Sequence, residues 1–374
     1  MQALTRNIVY FVDGVVFGGA EQALLNLLAG LDRGRWRPIV FHHDEPGLAP
    51  LLEGARTLDV KQTAVPRLDK TGYAAAAGAL FCELRAERPT VFHAHLTWQL
   101  GCKQALVVAA AARVPVRVAT VQLFVDLPRS LSLYVWRRIV TAGVDRYIAV
   151  SRELARRLQD SGVPGNKIQV VHNGIPVEQY RRPAKQELRM RLAGNECRKI
   201  VFTPARLHAQ KGQRFLLQAA TLVPDAVFVL AGDGPDREEL EIQARSLGLG
   251  DRVRFLGYRR DIADLLATCD VFVLPSLYEG LPLSILEAMA AGRPVISSAI
   301  GGSNEVVRNG DTGLLVPPGN PAELARAINL VLGNPDLGQR LARAARAHVK
   351  KDFSVARMAE CNMHIYDELS SDHL

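Results

Sequence analysis

Two glutamates, Glu279 and Glu287, stand in the segment YEGLPLSILEAMAAGRPVI with seven residues between them. The run 270–274 before them predicts a buried strand, and Pro282 suits the first turn of a helix. Unpaired N–H groups at such a helix start favour a diphosphate, while carboxylates accept hydrogen bonds from hydroxyl groups. We expect Glu279 at the mouth of a ligand cleft. Glu287 lies further along the helix, where it would reach the ribose of a bound ligand. The alternative is a surface carboxylate beside a charge that the helix dipole favours.

Two cations, Arg206 and Lys211, stand in TPARLHAQKGQRFLLQA after a predicted strand at 200–203. Gly212 opens the next helix, so both cations are expected at the carboxyl end of a strand and beside a helix start. Charge-assisted hydrogen bonds from such side chains contribute about 1.5–3 kcal/mol each. The pattern predicts a clamp for a diphosphate, and the alternative is a pair of exposed cations.

The first predicted strand is followed by GGAE, Gly18 to Glu21, whose glycines let the backbone approach a ligand closely. This segment is not G-x-G-x-x-G, so it does not indicate a dinucleotide. Two histidines, His93 and His95 in VFHAHLTW, end another predicted strand. A contact between His95 and an acceptor is one interpretation, and a structural role for the imidazoles is the other.

These residues need a scaffold, and short apolar runs separated by helical patterns predict parallel strands with helical crossovers. The pattern occurs twice, which predicts an α/β fold of two Rossmann-like domains with a ligand cleft between the carboxyl ends of two sheets. Helices are expected at 20–31, 98–112 and 152–161. The strands are expected at 8–12, 39–42, 90–93, 116–121 and 146–150, and then at 200–203, 227–231, 253–256, 271–274 and 295–297.

The polar stretch 175–199 is the expected linker. It gives a first domain of residues 1–175 and a second of residues 176–355. The last helical stretch, 356–374, has no strand after it, and packing against the first domain is one option for it.

The composition fits two domains and excludes several classes of protein. With 374 residues, 48% of them hydrophobic, separate cores are expected and disorder is not. The longest apolar run, Ala105 to Ala112, is far shorter than the roughly 18 residues of a spanning helix, and no signal-peptide pattern opens the sequence. No C-x-x-C pair indicates a disulfide scaffold or a cysteine-based zinc site, so a cytoplasmic location is expected. The five cysteines are Cys82, Cys102, Cys197, Cys269 and Cys361.

The formal net charge is +8, and the segment 113–157 is rich in arginine. Such a surface attracts phosphates or anionic lipid headgroups, and a solvated face without a ligand is the alternative. The absence of a nucleic-acid motif argues against a nucleic-acid partner. Within this segment, LSLYVWRRIV (131–140) predicts an apolar and basic helix, for which contact with an anionic membrane surface is one interpretation. A core helix with exposed arginines is the alternative.

Several motifs together resemble one family. In order along the chain they are HNGI, ARLHAQKG, AGDGP, FLGYRRDIADLLATCDVFVLPSLYEGLPLSILEAMAAGRPVI, GGSNEVV and GDTGLLVPPGN, from His172 onwards. The chain resembles the retaining, nucleotide-sugar-dependent glycosyltransferases of the GT-B fold, glycosyltransferase family 4 (glycosyl transferases group 1), over nearly its whole length.

The resemblance implies that the second domain binds the nucleotide-sugar donor and the first binds the acceptor. Arg206 and Lys211 would hold the diphosphate and stabilise it as it leaves, Glu279 would contact the donor sugar, and these three are the expected catalytic residues. Glu287 would bind the ribose. The other implied donor-binding residues are Gly18, Gly19, Arg259, Gly280 and Leu281, with Glu21 supporting the first loop and Arg259 near the base. No metal or other cofactor is implied, and the sequence has no D-x-D motif.

One position departs from the family pattern. Many relatives carry a histidine after the strand at 116–121, whereas this chain has Gln122 in ATVQLF. A glutamine can hydrogen-bond a sugar hydroxyl but cannot transfer a proton near neutral pH. Gln122 and His95 are the expected acceptor contacts.

The expected function is retaining transfer of a sugar from a UDP- or GDP-sugar to a glycan or lipid-linked glycan, in cell-envelope or exopolysaccharide assembly. The expected place is the cytoplasm, with contact to an anionic membrane. A catalytically inactive relative that binds a glycan or nucleotide is the alternative that Gln122 leaves open. A nucleic-acid-binding protein is opposed by the order of the motifs, and an NAD-dependent enzyme by the missing dinucleotide fingerprint.

Overall fold

A computed structural model describes residues 5–68, 72–126, 130–194 and 198–371. Cys197, the linker positions 195–197 and the positions 127–129 of the arginine-rich segment lie outside these described residues. The chain divides into two compact units, one made of Met1–Gly174 and Val355–Leu374, the other of Ile175–Ser354.

Each unit contains one sheet in which every strand pairing is parallel. The first sheet consists of β1 (Arg6–Val12), β2 (Trp36–His42), β3 (Lys61–Ala64), β4 (Val91–Leu96), β5 (Val116–Val121), β6 (Arg146–Ala149) and β7 (Ile168–Val170). The second consists of β8 (Lys199–Pro204), β9 (Ala226–Ala231), β10 (Val253–Phe255), β11 (Val271–Leu274), β12 (Val295–Ser298) and β13 (Leu314–Val316). The strand orders are β3-β2-β1-β4-β5-β6-β7 and β10-β9-β8-β11-β12-β13.

Helices form the crossovers that parallel strands require. They are α1 (Gly19–Gly30), α2 (Ala49–Thr57), α3 (Tyr73–Glu87), α4 (Lys103–Ala111), α5 (Leu131–Gly143), α6 (Arg152–Asp160), α7 (Gln186–Ala193), α8 (Gln213–Ala220), α9 (Arg237–Ser246), α10 (Ile262–Thr268), α11 (Leu283–Ala290), α12 (Gly301–Val306), α13 (Pro321–Gly333), α14 (Pro335–Asp352) and α15 (Val355–Ser371). Within the described part of the chain, no helix is both long enough and apolar enough to cross a membrane.

The predicted α/β class with two Rossmann-like units is confirmed. Each predicted strand is present, and β5 and β11 have the predicted bounds. The strands that the sequence does not predict are β3, β7 and β13, and all three lie at a sheet edge. Polar residues interrupt β3 and β7, so both lack the continuous apolar run that marks a central strand, while the apolar run of β13 is only three residues long.

Two local predictions are wrong. The helix expected at 98–112 begins only at Lys103, because the backbone N–H of Cys102 donates to the Asp13 carboxylate (2.5 Å) and Cys102 has a left-handed φ of 52°. The stretch expected as a linker is folded into the second unit, where it contains a 3₁₀ helix (Val177–Tyr180) and α7. Its polar composition reflects a helix that buries only a few apolar side chains.

The last helix, α15, belongs to the first unit and packs against α1. A Cβ placed on Gly30 of α1 would lie 2.6 Å from Cγ1 of Val355 and 2.8 Å from Cβ of Ala359, so this glycine permits the close helix contact. Arg6 and Arg35 form ion pairs with Asp367 of α15, and Arg146 pairs with Glu368 at 2.9 Å.

A buried polar network joins α15 to the centre of the first sheet. The Tyr366 hydroxyl lies 2.6 Å from Nδ1 of His93, and Nε2 of His93 lies 2.7 Å from the Thr120 hydroxyl. The Tyr10 hydroxyl is 3.3 Å from that of Tyr366. Burial lowers the pKa of His93 well below its usual value, with a smaller contribution from His95. His93 is therefore a neutral, hydrogen-bonded core residue.

We expect Tyr366→Phe to destabilise the first unit by about 1–3 kcal/mol, because it leaves a ring nitrogen of buried His93 without its partner. The measurement is urea-induced unfolding followed by circular dichroism. Tyr134→Phe, on the exposed face of α5, is the matched control and should leave the unfolding midpoint unchanged. Equal midpoints for the two variants would contradict the role of this network.

Candidate functional site

The candidate donor site lies at the point of the second sheet where the chain reverses its direction of travel across the sheet. β8 and β11 are neighbours, yet the chain leaves β8 towards β9 and leaves β11 towards β12. The loops after such strands diverge and open a crevice at their carboxyl ends, where ligands of this fold class bind. Arg206 and Lys211 follow β8, and Glu279 follows β11.

Glycines allow the loops at this crevice to touch. Gly212 has a left-handed φ of 66°, and a Cβ there would lie 2.1 Å from the carbonyl oxygen of Pro275. A Cβ on Gly302 would lie 1.9 Å from the carbonyl oxygen of Gly280. No larger residue fits at either position, so the loops after β8, β11 and β12 are held in direct backbone contact.

The structure brings Lys211 and Glu279 together. Nζ of Lys211 donates to Oε1 of Glu279 (2.6 Å), and the Ser276 hydroxyl donates to the same oxygen (2.7 Å). The Glu279 side chain is 7% exposed, whereas that of Lys211 is 22% exposed. Among the described residues, Oε2 of Glu279 has no hydrogen-bond partner. The ion pair therefore leaves one carboxylate oxygen and part of the ammonium available to a ligand.

Arg206, like Lys211, follows strand β8. Its side chain is exposed and makes no hydrogen bond or ion pair within the described residues. Its backbone is fixed, because Nε2 of buried Gln213 donates to the Arg206 carbonyl oxygen (2.8 Å). A guanidinium on a fixed backbone can form two parallel hydrogen bonds to a phosphate without first breaking an internal pair.

Glu287 lies within α11 and is hydrogen-bonded to the hydroxyl of Tyr180. Burial raises the pKa of Glu287 to about 7, and the hydrogen bond from Tyr180 offsets part of that rise. The pKa of Tyr180 is raised as well, first by burial and then by Glu287. The sequence does not identify Tyr180, since it lies in the stretch expected to be a linker and pairs with a residue on a distant helix.

The other residues of the second unit that were predicted to bind the donor lie at different strand ends. Gly280 and Leu281 are buried between β11 and α11, directly before the helix start. Arg259 follows the edge strand β10, two strands away from β8, and forms a bidentate pair with Asp261 (2.7 and 2.5 Å). This pair raises the pKa of Arg259 and lowers that of Asp261. Arg259 thus makes no contact with the Lys211–Glu279 pair, and its role at the base stays a prediction.

The first unit has its own crossover reversal, between β1 and β4. Gly18 caps α1, and its N–H donates to Oε2 of Glu21 (2.9 Å), which ties the loop after β1 to the helix. Burial raises the pKa of Glu21, and the backbone hydrogen bonds lower it. A Cβ on Gly19 would meet no atom within 4 Å, so the space beside this backbone is open.

The two predicted acceptor residues have contrasting surroundings. His95 is 5% exposed, and neither of its ring nitrogens has a hydrogen-bond partner among the described residues. Burial lowers its pKa to about 3, so the imidazole is neutral at physiological pH. Gln122, half-buried at the end of β5, pairs with Asn173, whose Nδ2 donates to the Gln122 Oε1 (2.8 Å). Contacts of His95 and Gln122 with an acceptor stay predictions.

In the described ranges, no three or more His, Cys, Asp or Glu side chains form a group that could hold a metal ion. The functional groups available to a ligand are the exposed guanidinium of Arg206, the Lys211–Glu279 pair and the carboxyl group of Glu287. Cations of this kind bind phosphate oxygens, and carboxylates bind hydroxyl groups.

Two family models match consecutive parts of the chain. The model described as Glycosyltransferase Family 4 matches residues 17–179, and the model described as Glycosyl transferases group 1 matches residues 184–348. Together they cover most of both units.

Curated relatives are similar over large parts of the chain. The UDP-Gal:alpha-D-GlcNAc-diphosphoundecaprenol alpha-1,3-galactosyltransferase of Escherichia coli is 36% identical over 64% of this chain and 65% of its own length. The glycogen synthase of Mycobacterium tuberculosis is 31% identical over 75% of this chain and 69% of its own. The chain thus spans slightly less than two thirds of the Escherichia coli relative.

Among solved structures, that of Anabaena Alr3699/HepE in complex with UDP and glucose is similar with a TM-score of 0.85. The sequence identity is 24%, and the match covers 97% of this chain and 100% of that one. This likeness, together with the two parallel sheets, confirms the predicted GT-B type of fold.

The raised pKa of Glu287 predicts a pH-dependent cost to stability. Between its usual value of 4.5 and about 7, the folded state keeps a proton that the unfolded state has released, so stability falls across this window. We expect Glu287→Gln to stabilise the protein at pH 8, on the order of 2–3 kcal/mol, and to have little effect near pH 5.

Thermal unfolding at the two pH values measures this difference. Glu239→Gln, at an exposed position in the first turn of α9, removes the same charge and is the control expected to shift both melting temperatures alike, because the loss of a carboxylate at a helix start is similar at the two pH values. A Glu287→Gln variant less stable than the wild type at pH 8 would contradict the assignment.

Proposed function

The chain belongs to glycosyltransferase family 4 (glycosyl transferases group 1), and we propose that it transfers a sugar from a nucleoside-diphosphate sugar to a glycan acceptor. The observation that carries the proposal is the cluster of Arg206, Lys211 and Glu279 at the carboxyl ends of neighbouring strands β8 and β11. Two cations and a carboxylate that follow neighbouring strands suit a diphosphate joined to a sugar, which supports the proposal.

In this proposal, Arg206 and Lys211 bind the diphosphate and stabilise the negative charge that develops on it as the bond to the sugar breaks. Oε2 of Glu279, which has no partner among the described residues, accepts a hydrogen bond from a hydroxyl of the donor sugar. Glu287 accepts hydrogen bonds from the ribose, and the backbone at Gly18 and Gly19, which is open beside Gly19, contacts the diphosphate or the sugar. The transfer needs orientation of two substrates, exclusion of water and no metal ion.

We propose retention of configuration at the transferred carbon, with a UDP- or GDP-sugar as donor. The expectation of retention comes from the family resemblance of the sequence, and the name of the Escherichia coli relative supports UDP, since its named donor is UDP-Gal. Nuclear magnetic resonance of the reaction product distinguishes retention from inversion through the coupling constant of the new anomeric proton.

The proposed acceptor is a glycan or lipid-linked glycan of cell-envelope or exopolysaccharide assembly, bound by the first unit. The acceptor named for the Escherichia coli relative, a diphosphoundecaprenol-linked sugar, supports this class. The proposed location is the cytoplasmic side of an anionic membrane.

Helix α5 supports the membrane contact. Its single buried residue is Val140, and it exposes Leu131, Tyr134, Val135 and Ile139 on one face. Arg138 is exposed on the same face, and its guanidinium lies 5.9 Å from the ring of Tyr134. An apolar stripe that carries a cation suits the boundary between acyl chains and anionic headgroups.

A second candidate is an inactive relative that binds a nucleotide or glycan without transferring a sugar. The observation that favours it is the amide pair of Gln122 and Asn173, at the position where many relatives have a histidine. An amide held by another amide cannot move a proton. Nucleotide binding without transfer or hydrolysis of any donor sugar would favour this candidate.

The proposed donor site predicts selective binding of one nucleoside diphosphate in the presence of EDTA. Calorimetric titration with UDP, GDP, ADP and TDP identifies it.

Arg206→Ala should weaken that binding roughly 10- to 150-fold, as the loss of a charge-assisted hydrogen bond implies. It should not change the unfolding midpoint, since the side chain is exposed and unpaired within the described residues. Arg214→Ala, an exposed arginine of α8, is the control expected to bind normally. Binding of no diphosphate by the folded wild type would refute the proposed function.

The membrane proposal predicts co-sedimentation with vesicles that contain phosphatidylglycerol. Replacing Leu131, Val135 and Ile139 by serine should reduce the bound fraction about tenfold or more, because it removes the apolar face that inserts. Serine at Leu222, Ile242 and Leu330, which are equally exposed apolar residues of the second unit, is the control. A wild-type protein that stays in the supernatant would contradict membrane contact.

A further inference from the structure

Each carboxyl group of the proposed donor site is held by one neutral hydroxyl. Ser276 is fully buried in the loop after β11, and its hydroxyl donates to Oε1 of Glu279 (2.7 Å). Tyr180 belongs to the 3₁₀ helix that packs against α10 and α11, and its hydroxyl is hydrogen-bonded to Glu287. Neither hydroxyl carries a charge that a bound phosphate would attract.

Ser276 and Lys211 donate to the same oxygen of Glu279, but they hold it differently. Lys211 has a long, flexible side chain whose ammonium is partly exposed, so a bound diphosphate competes for it. The Ser276 side chain is short and buried, which fixes its hydroxyl relative to β11. If Lys211 turns towards the diphosphate, Ser276 still binds Oε1 and keeps Oε2 directed outward.

Tyr180 holds Glu287 in an equivalent way. The tyrosine ring is rigid, and the 3₁₀ helix that carries it is packed against the helix that carries Glu287. A carboxylate has about four lone-pair positions, of which the Tyr180 hydroxyl occupies one. Enough positions remain to accept hydrogen bonds from the two adjacent hydroxyls of a ribose.

We propose that Ser276 and Tyr180 are positioning residues for donor recognition, Ser276 orienting Glu279 towards the sugar and Tyr180 orienting Glu287 towards the ribose. The proposal rests on the function proposed above and adds two residues to it. Neither residue contacts the donor; each acts through the carboxyl group that it holds.

The experiment measures two affinity ratios by calorimetric titration. The first is the dissociation constant of UDP divided by that of UDP-glucose, UDP-galactose or UDP-N-acetylglucosamine, whichever binds tightest, and it reports recognition of the sugar. The second is the dissociation constant of 2′,3′-dideoxy-UDP divided by that of UDP, and it reports recognition of the ribose. If the wild type binds GDP instead of UDP, the corresponding guanosine compounds are used.

The two variants should change different ratios. Ser276→Ala should lower the sugar ratio about three- to tenfold and leave the ribose ratio unchanged, while Tyr180→Phe should do the reverse. Thr203→Val is the matched control for the serine, because its buried hydroxyl donates to the carbonyl oxygen of Val273 and to no carboxylate. Tyr147→Phe, in the first unit, is the control for the tyrosine. If Ser276→Ala does not fold, Ser276→Cys keeps the volume and weakens the donor.

The outcomes separate this proposal from the proposed function. Normal UDP binding with both ratios unchanged in both variants would refute the positioning roles alone. An equal fall of both ratios in the variants and their controls would reveal general structural damage and also refute them. A wild type that binds neither UDP nor GDP would refute the proposed function and the positioning roles with it.

Discussion

The proposed donor chemistry depends on how closely the backbones approach each other at the carboxyl ends of β8, β11 and β12. Gly212 lies against the carbonyl of Pro275, and Gly302 against the carbonyl of Gly280, at distances that leave no room for a Cβ atom. This contact sets the separation between the loop that carries Lys211 and the loop that carries Glu279. A side chain at Gly212 would push these two loops apart, and the 2.6 Å ion pair between them would be lost. The ion pair between Lys211 and Glu279 therefore depends on the close backbone approach that glycine permits.

The second unit keeps a carboxyl group where burial opposes its ionisation. A glutamate whose pKa is raised to about 7 lowers the stability of the fold near neutral pH, and an apolar or amide side chain at this position would avoid that cost. Retaining such a group is typical of residues selected for binding or catalysis. The neutral hydroxyl of Tyr180 limits the cost, because its hydrogen bond lowers the pKa of Glu287 without adding a charge that would compete for a phosphate.

The first unit is completed by the far end of the chain. Helix α15 supplies the Tyr366 hydroxyl to His93 in the middle of the sheet, and its acidic residues pair with arginines at the amino ends of β1, β2 and β6. The polar groups in this core are neutral and mostly paired, which fixes the position of the helix. Among the described residues, two buried side chains of this core have ring nitrogens without a partner, Trp36 at Nε1 and His95 at both nitrogens. His95 was expected at an acceptor, and its surroundings are those of the sheet interior.

The sequence by itself determined the features that depend on neighbouring residues. Apolar runs such as 116–121 and 271–274 predicted central strands, because buried strands must be apolar on both faces, and the motifs around Arg206 and Glu279 predicted which strand ends carry chemistry. The edge strands β3, β7 and β13 escaped detection, since polar residues interrupt β3 and β7 and the apolar run of β13 is only three residues long. Only the tertiary structure decided which side chains meet. Lys211 and Glu279 are 68 positions apart, and Tyr180 and Glu287 are further apart still. Contacts at such separations are set by strand order and loop packing. The pattern of polar and apolar residues along the chain does not show which distant side chains meet.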